Sequence, residues 1–240
     1  MQKIHKWFYQ DLETTKSTND SVLDLLEKVK APCIVSAKIQ TLGRGRLGRS
    51  WEGKEGNLFV SFAYEIELQN LTHYALLSGL SVLKSVQFFI SAEKVKVKWP
   101  NDVFVEGKKI SGILFEKGPE KYWIMGIGVN VAQTPEVENP MYEVTSLKDY
   151  NIQTTREEFL QKLVENFDNL KAQYEERGFE PIRKAWLDNA YNRGKKVIIK
   201  QNGQECEGIF ESIGSNGELI LKTKDGLKNI LVGDLFEGKK

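Results

Sequence analysis

The segment Gly43-Arg44-Gly45-Arg46-Leu47-Gly48-Arg49-Ser50-Trp51 sets three guanidinium groups on a glycine-rich backbone. Glycine lets a backbone turn sharply and come close to a ligand. Arginine makes multivalent contacts with phosphate and carboxylate oxygens and keeps its charge at any working pH. The chemistry on offer is therefore the holding of a small anionic ligand. The stretch formally contains G-x-G-x-x-G, with Glu65 at a plausible distance for a ribose contact. A dinucleotide site of that kind needs a helix directly after the glycines, whose N-terminus faces the pyrophosphate. Here Trp51-Glu52-Gly53-Lys54-Glu55-Gly56 and an alternating apolar run follow, and G-x-x-x-x-G-K-[ST] is absent. Two blander readings also fit the segment by itself: a solvated loop, or an arginine–glycine contact to nucleic acid.

Several elements must position this loop. Ser17-Thr18-Asn19-Asp20 reads as a helix start, its hydroxyl and amide side chains expected to accept the free amide hydrogens. Val22, Leu25, Leu26 and Val29 then share one helix face, and Pro32 closes the helix before a buried strand at 33–39. Residues 40–57 show no periodicity and read as a loop, loose until a ligand offsets the repulsion among its arginines. Leu58, Val60, Phe62, Tyr64 and Ile66 alternate, which predicts a strand with one face on a core. A helix is expected over 71–90 and an alternating strand over 94–98. A hairpin turning at Glu106-Gly107, a strand over 122–131 and a long helix carrying Phe159, Leu163, Phe167, Leu170 and Tyr174 follow. From Lys195 onward, short β-type runs are separated by Asn202-Gly203, Asn216-Gly217 and Asp225-Gly226, which suggests a small barrel of about five strands. The fold class is α+β, with a domain over 1–190 and a second over 191–240.

Composition narrows the function classes. With 34 basic and 33 acidic residues the chain is not a bulk polyelectrolyte binder. Two cysteines, Cys33 and Cys206, and two histidines, His5 and His73, lack metal-ligand spacing, so no protein metal site is expected. No apolar run approaches the roughly 20 residues of a membrane span, and the N-terminus lacks an apolar signal core. A reduced, cytoplasmic setting and no membrane partner are expected.

Five elements, in order, resemble the biotin–protein ligase family, also called biotin–[acetyl-CoA-carboxylase] ligases. Ser17-Thr18-Asn19 is similar to its S-T-N element, with Gln40 just ahead of a G-R-G-R-x-G-R-x-W loop. Lys98-Trp99-Pro100-Asn101-Asp102 resembles its K-W-P-N-D, Lys109 to Leu114 its K-x-x-G-I-L, and Gly126 to Asn130 its G-x-G-x-N. The resemblance implies a central mixed sheet with packed helices, of the class II synthetase-like kind, plus an SH3-like C-terminal barrel. It implies ATP-dependent activation of biotin to biotinyl-5′-AMP, with Mg2+ accompanying the nucleotide, and transfer of biotin to a lysine of a biotin carboxyl carrier protein. On that reading Ser17, Thr18, Asn19 and Gln40 face the ureido ring, while Arg44, Gly45 and Arg46 contact biotin and its adenylate. Trp51 lies beside the adenine, Asn101 and Asn130 shape the nucleotide side, Lys109 reaches the carboxylate and α-phosphate, and Asp102 sits near the reacting centre. Lys109, Arg46 and Asp102 are the catalytic candidates.

Those residue types suit the chemistry. A ureido group presents fixed donors and acceptors, and leaving one buried without a partner costs about 1–3 kcal/mol. A carboxylate attacking a phosphate needs fixed cations against their mutual repulsion. Only sixteen residues precede Ser17, so a repressor role with sequence-specific DNA binding, known in part of the family, is not expected. Leu47 stands where many members carry another arginine. The competing readings are a lipoate–protein ligase, which shares the adenylate logic, and a nucleic-acid-binding module. The acceptor protein and the oligomeric state, a homodimer included, are left open.

Overall fold

Alternating apolar residues build an eight-stranded sheet whose two faces are covered differently. The computed structural model describes residues 2–136, 141–201 and 203–238. In chain order the elements are β1 (Gln2–Ile4), β2 (Trp7–Thr15), α1 (Thr18–Val29), β3 (Cys33–Gln40), β4 (Gly43–Arg44), β5 (Ser50–Trp51), β6 (Leu58–Glu65) and α2 (Leu71–Gln87). Then come β7 (Val95–Lys98), β8 (Asp102–Val105), β9 (Lys108–Lys117), β10 (Tyr122–Val129), α3 (Arg156–Arg177) and α4 (Glu180–Asp188). The chain finishes with β11 (Lys196–Gln201), β12 (Gln204–Ile213), β13 (Leu219–Thr223), β14 (Gly226–Ile230) and β15 (Asp234–Glu237).

The large sheet runs β1-β2-β3-β6-β10-β9-β8-β7. Only β2 and β3 pair in parallel, and α1 is the crossover between them. One face carries the main core, where Leu58, Val60 and Phe62 of β6 meet Leu77, Leu80 and Leu83 of α2 and Phe159, Leu163 and Phe167 of α3. On the other face Val22, Leu25 and Leu26 of α1 pack on Cys33, Val35, Ala63 and Ile124. Strand β6 is therefore buried from Leu58 to Ala63 on both faces, rather than on the one face that its alternation predicts. The residues between the large apolar ones, Phe59, Ser61 and Ala63, are themselves covered. The same correction applies to β7, where Lys98 is buried against the expected alternation.

The hairpin between β8 and β9 turns where expected, with Glu106 at φ 49° and Gly107 at φ 84°, the mirror-image turn that glycine favours. Two expectations shift. Helix α4, with Pro181 in its first turn, was not anticipated as a separate element. Gly226 pairs with Thr223 as the first residue of β14, so Lys224 and Asp225 form that turn instead. Asn202 and the Lys239-Lys240 tail lie outside the described residues.

The last five strands form an antiparallel sheet in the order β14-β13-β12-β11-β15. A meander supplies four of them and β15 returns beside β11. This sheet docks on the helices through Phe210, whose ring lies 6.3 Å from that of Trp186. Arg183 Nη1 adds a hydrogen bond to the Ile213 carbonyl at 2.9 Å. Among the described residues no helix is long and apolar enough to cross a membrane.

Candidate active site

A pocket opens on the α1 face of the large sheet, where β9 and β10 present glycines instead of side chains. Residues alternate across a strand, so Gly126 and Gly128 lie on the same face. Both positions exclude a Cβ. At Gly126 it would fall 2.3 Å from Asn19 Oδ1, and at Gly128 2.3 Å from Trp51 Cε2. The pocket wall includes Ser17, Thr18, Asn19, Gln40, Arg44, Gly45, Arg46, Trp51, Asn101, Asp102, Lys109 and Asn130. Every sequence-derived candidate thus reaches one cavity, from six separate parts of the chain.

One end of the cavity is polar and mostly uncharged. Ser17 begins α1 with an extended backbone (φ −151°, ψ 133°), but its hydroxyl makes no capping hydrogen bond, contrary to expectation. Gln40 does that work from the end of β3. Its Oε1 accepts from the Thr18 amide at 2.9 Å and from Thr18 Oγ1 at 3.2 Å. Ser61 Oγ lies 2.5 Å from Asn19 Oδ1 and 2.8 Å from Thr18 Oγ1. Asn19 Nδ2 donates to Glu116 Oε2 at 2.6 Å, which fixes the orientation of the Asn19 amide. These side chains form a buried lattice of hydroxyls and amides.

The arginine segment closes over this face as a two-stranded ribbon of β4 and β5, with a tight turn at Leu47 (φ 56°). Its guanidinium groups are paired with carboxylates, which corrects the expectation of an unanchored, self-repelling loop. Arg44 donates to both Asp20 oxygens at 3.0 and 2.7 Å and to Glu116 at 3.2 and 3.0 Å. Arg44 is consequently held firmly protonated, with the Asp20 hydrogen bonds the larger cause and those to Glu116 next. Burial favours the neutral form of Glu116, yet hydrogen bonds from Arg44 and Asn19 bring its pKa below the usual carboxylate value. Arg46 is more deeply placed and donates to Asn101 Oδ1 at 3.1 Å and to the Gly233 carbonyl at 3.2 Å. It also lies 3.3 Å from Asp234, as Arg49 does at 3.2 Å. Burial draws the Arg46 pKa down, and Asp234 and Asp102 oppose the shift.

Beside Arg46, Lys109 Nζ lies 2.7 Å from Asp102 Oδ1 and 5.6 Å from the centre of the Trp51 ring. Among the described residues Asp102 Oδ1, Trp51 Nε1 and Asn130 Oδ1 are buried polar atoms without an aligned hydrogen-bond partner. The Asp102 contact is a charge pairing off the hydrogen-bond line. Asn130 Nδ2 is held by the Thr145 carbonyl at 3.0 Å, so its free oxygen has a fixed direction. Unpaired buried polar atoms are costly, and three in one cavity mark it as a ligand site. Among the described residues no cluster of three metal-ligating side chains occurs. Cys33 is buried and its thiol is pushed up to about 12, so it offers no nucleophile.

Sequence reasoning missed Ser61, Glu116, Asp234, Tyr142 and Lys98 as wall or support residues. Ser61 and Glu116 sit inside strand patterns, where only the fold tells a polar residue facing the pocket from one facing solvent. Asp234 reaches the site from the C-terminal sheet, about 190 residues from the arginines it pairs with. Lys98 alone carried a signal, its place at the head of Lys98-Trp99-Pro100-Asn101-Asp102.

Comparison with known proteins gives consistent results. The model of the biotin/lipoate A/B protein ligase family matches residues 12–130. The chain is 33% identical to the biotin–[acetyl-CoA-carboxylase] ligase of Paracoccus denitrificans, over 95% of this chain and 99% of that one. It is 30% identical to the bifunctional ligase/repressor BirA of Escherichia coli over 93% of this chain and 72% of the relative. The fold is similar to that of the biotin protein ligase from Aquifex aeolicus in complex with biotin and ATP. That match has a TM-score of 0.84 and 28% identity, and covers 95% and 97% of the two chains.

Proposed function

This chain belongs to the biotin/lipoate A/B protein ligase family, and on that premise we propose that it activates biotin with ATP and transfers it to a lysine of a biotin carboxyl carrier protein. The observation that carries the reading is the polarity of one cavity. A hydroxyl–amide lattice of Ser17, Thr18, Asn19, Gln40 and Ser61 lies at one end and the cations Arg46 and Lys109 at the other. A ureido ring suits the first and a carboxylate meeting a phosphate suits the second. The Aquifex protein of similar fold, described with biotin and ATP, supports the pairing.

In the first step a biotin carboxylate oxygen attacks the α-phosphorus of magnesium-bound ATP. The bond to the β-phosphate oxygen breaks, and pyrophosphate leaves. Lys109 and Arg46 stabilise the charge that grows on the phosphoryl oxygens; being held in half-buried positions by Asp102 and Asp234, they need little reorganisation. Trp51, over Gly128, offers an indole face to the adenine, and Asn101 and Asn130 bound the nucleotide side. Arg44 and Gly45 form the strap above biotin, with the Arg44 guanidinium tied to Asp20 and Glu116. In the second step the acceptor amine attacks the anhydride carbonyl, AMP departs, and the amine loses a proton. Asp102, the carboxylate next to Lys109, is assigned as the group that accepts the proton of the acceptor lysine before its amine attacks.

Biotin-dependent exchange of labelled pyrophosphate into ATP tests the reading. Exchange with biotin and not with lipoate is the expected result. Exchange driven by lipoate would transfer the assignment to the sister activity, and salt-sensitive nucleic-acid binding without exchange would remove it from the enzymes.

A further inference from the structure

Lys98 is 3% exposed, yet it lines the pocket. Its ammonium lies 2.9 Å from Tyr142 Oη. The Tyr142 hydroxyl donates its own proton to the Leu235 carbonyl at 2.8 Å, so its oxygen is the acceptor for Lys98. Aromatic faces complete the surroundings, with the Tyr142 ring centre at 4.2 Å and that of Phe104 at 5.7 Å. Among the described residues Lys98 forms no ion pair, whereas the other pocket cations, Arg44, Arg46, Arg49 and Lys109, each have a carboxylate. Asp102, Asp234 and Glu237 act on it from a distance, and Lys109 and Arg46 oppose them. A buried lysine with one neutral acceptor has N–H groups unaddressed and a charge uncompensated. Burial accordingly pushes its pKa down to about 8, with Asp102 only partly offsetting the effect.

We propose that Lys98 is a phosphate-binding residue for the part of ATP that leaves, the β- and γ-phosphates, and that it does not contact the adenylate that stays. This deepens the ligase reading and rests on it. The argument is one of division. Arg46 and Lys109 already stand at the end of the cavity away from the polar lattice, where the carboxylate and α-phosphate meet. Lys98 lies across Asp102 from Lys109, on the neighbouring strand β7, where Lys98 and Asp102 are cross-strand partners. A polyphosphate tail brings several negative charges, which suit a cation that has no carboxylate of its own. Its arrival would also favour the protonated lysine that burial disfavours.

The test compares wild type with K98M and K98R in equilibrium binding of inorganic pyrophosphate, ATP and biotinyl-5′-AMP, all with magnesium. Thermal melts confirm folding, which removal of a buried uncompensated charge should not impair. For K98M, pyrophosphate and ATP affinity should fall roughly tenfold to hundredfold, the worth of a charged hydrogen bond, with biotinyl-5′-AMP affinity unchanged. K98R should retain most of the pyrophosphate affinity. If K98M weakens all three ligands alike, Lys98 only shapes the site through Tyr142, and the proposal fails. It fails equally if pyrophosphate binding is unchanged. Should K98M not fold, K98Q, which keeps a donor without the charge, must show the same split. Biotin-dependent exchange by wild type separates the two layers. Its absence removes the ligase reading, while normal exchange with an unaltered K98M removes only the role of Lys98.

Discussion

At the scale of single residues, the cavity divides cations that are already paired from those positioned for a ligand. Arg44 has two carboxylates and belongs to the scaffold. Lys109 has one, Asp102, at the edge of the reacting space. Replacement of Lys109 by alanine should therefore leave the fold intact, since the side chain is partly exposed and holds no core contact. It should slow adenylate formation by roughly hundredfold to thousandfold, the usual cost of losing one fixed group opposite a growing oxyanion. Single-turnover formation of biotinyl-5′-AMP measures this, and a folded K109A with wild-type rates would refute the assignment. At this scale much of the site was legible, because Ser17 to Asn19, Gln40, Arg44 to Trp51, Asn101 to Asp102, Lys109 and Asn130 carry distinctive types in a fixed order. Ser61 and Glu116 were not. Each is an ordinary polar residue in a strand, and its meaning comes from Asn19, 42 and 97 residues away.

Among the elements, periodicity identified the strands and helices that have one clear face, and it failed where both faces are covered. In β6 the small residues Ser61 and Ala63 sit under α1, a packing that alternation cannot express. The arginine ribbon was misread for a related reason. Its stability comes from Asp20, Glu116 and Asp234, on three other elements, and long-range charge pairing leaves no local pattern. Those pairs refine what ligand binding should do to it. Surface ion pairs are weak, about 0–1 kcal/mol each, so the Arg44 latch over the exposed rim orders the ribbon only partly. The deeper Arg46 and the turn at Leu47, which is 79% exposed, have the most to gain when a phosphate arrives. Hydrogen exchange in residues 45–49 should therefore slow more on loading with biotin and ATP than exchange in residues 43–44 or anywhere in β9. Equal protection with and without ligand would show a rigid wall and no closure.

The whole molecule is joined at the site by its C-terminal sheet, which supplies Asp234 and the Gly233 carbonyl to Arg46 and the Leu235 carbonyl to Tyr142. A second junction lies at the first turn of α2. His73 Nε2 faces the Ser215 carbonyl at 2.9 Å, its Nδ1 lies 3.1 Å from Tyr174 Oη, and its ring stacks on Phe179 at 3.8 Å. The Ser215 carbonyl can only accept, so Nε2 carries the proton and Nδ1 accepts from Tyr174. A second proton on the ring would deprive Tyr174 of its acceptor. Burial lowers the His73 pKa below its ordinary value of 6.5, and the Ser215 hydrogen bond and Glu218 oppose the shift without reversing it. The sign of the linkage follows: as pH drops below about 6.5 the unfolded chain takes up this proton before the folded one does, so folding is disfavoured. The contribution of His73 is fully present above that pH, declines as pH falls toward the folded value, and then levels off. Comparison with H73Q isolates it, because glutamine keeps a polar end without titrating and the other acid groups cancel in the difference. The melting temperature of wild type should exceed that of H73Q at pH 7.5 by a margin that shrinks at pH 5. A margin unchanged between the two pH values would mean that the folded and unfolded chains take up the His73 proton alike, and that the junction between helices and C-terminal sheet is insensitive to acid.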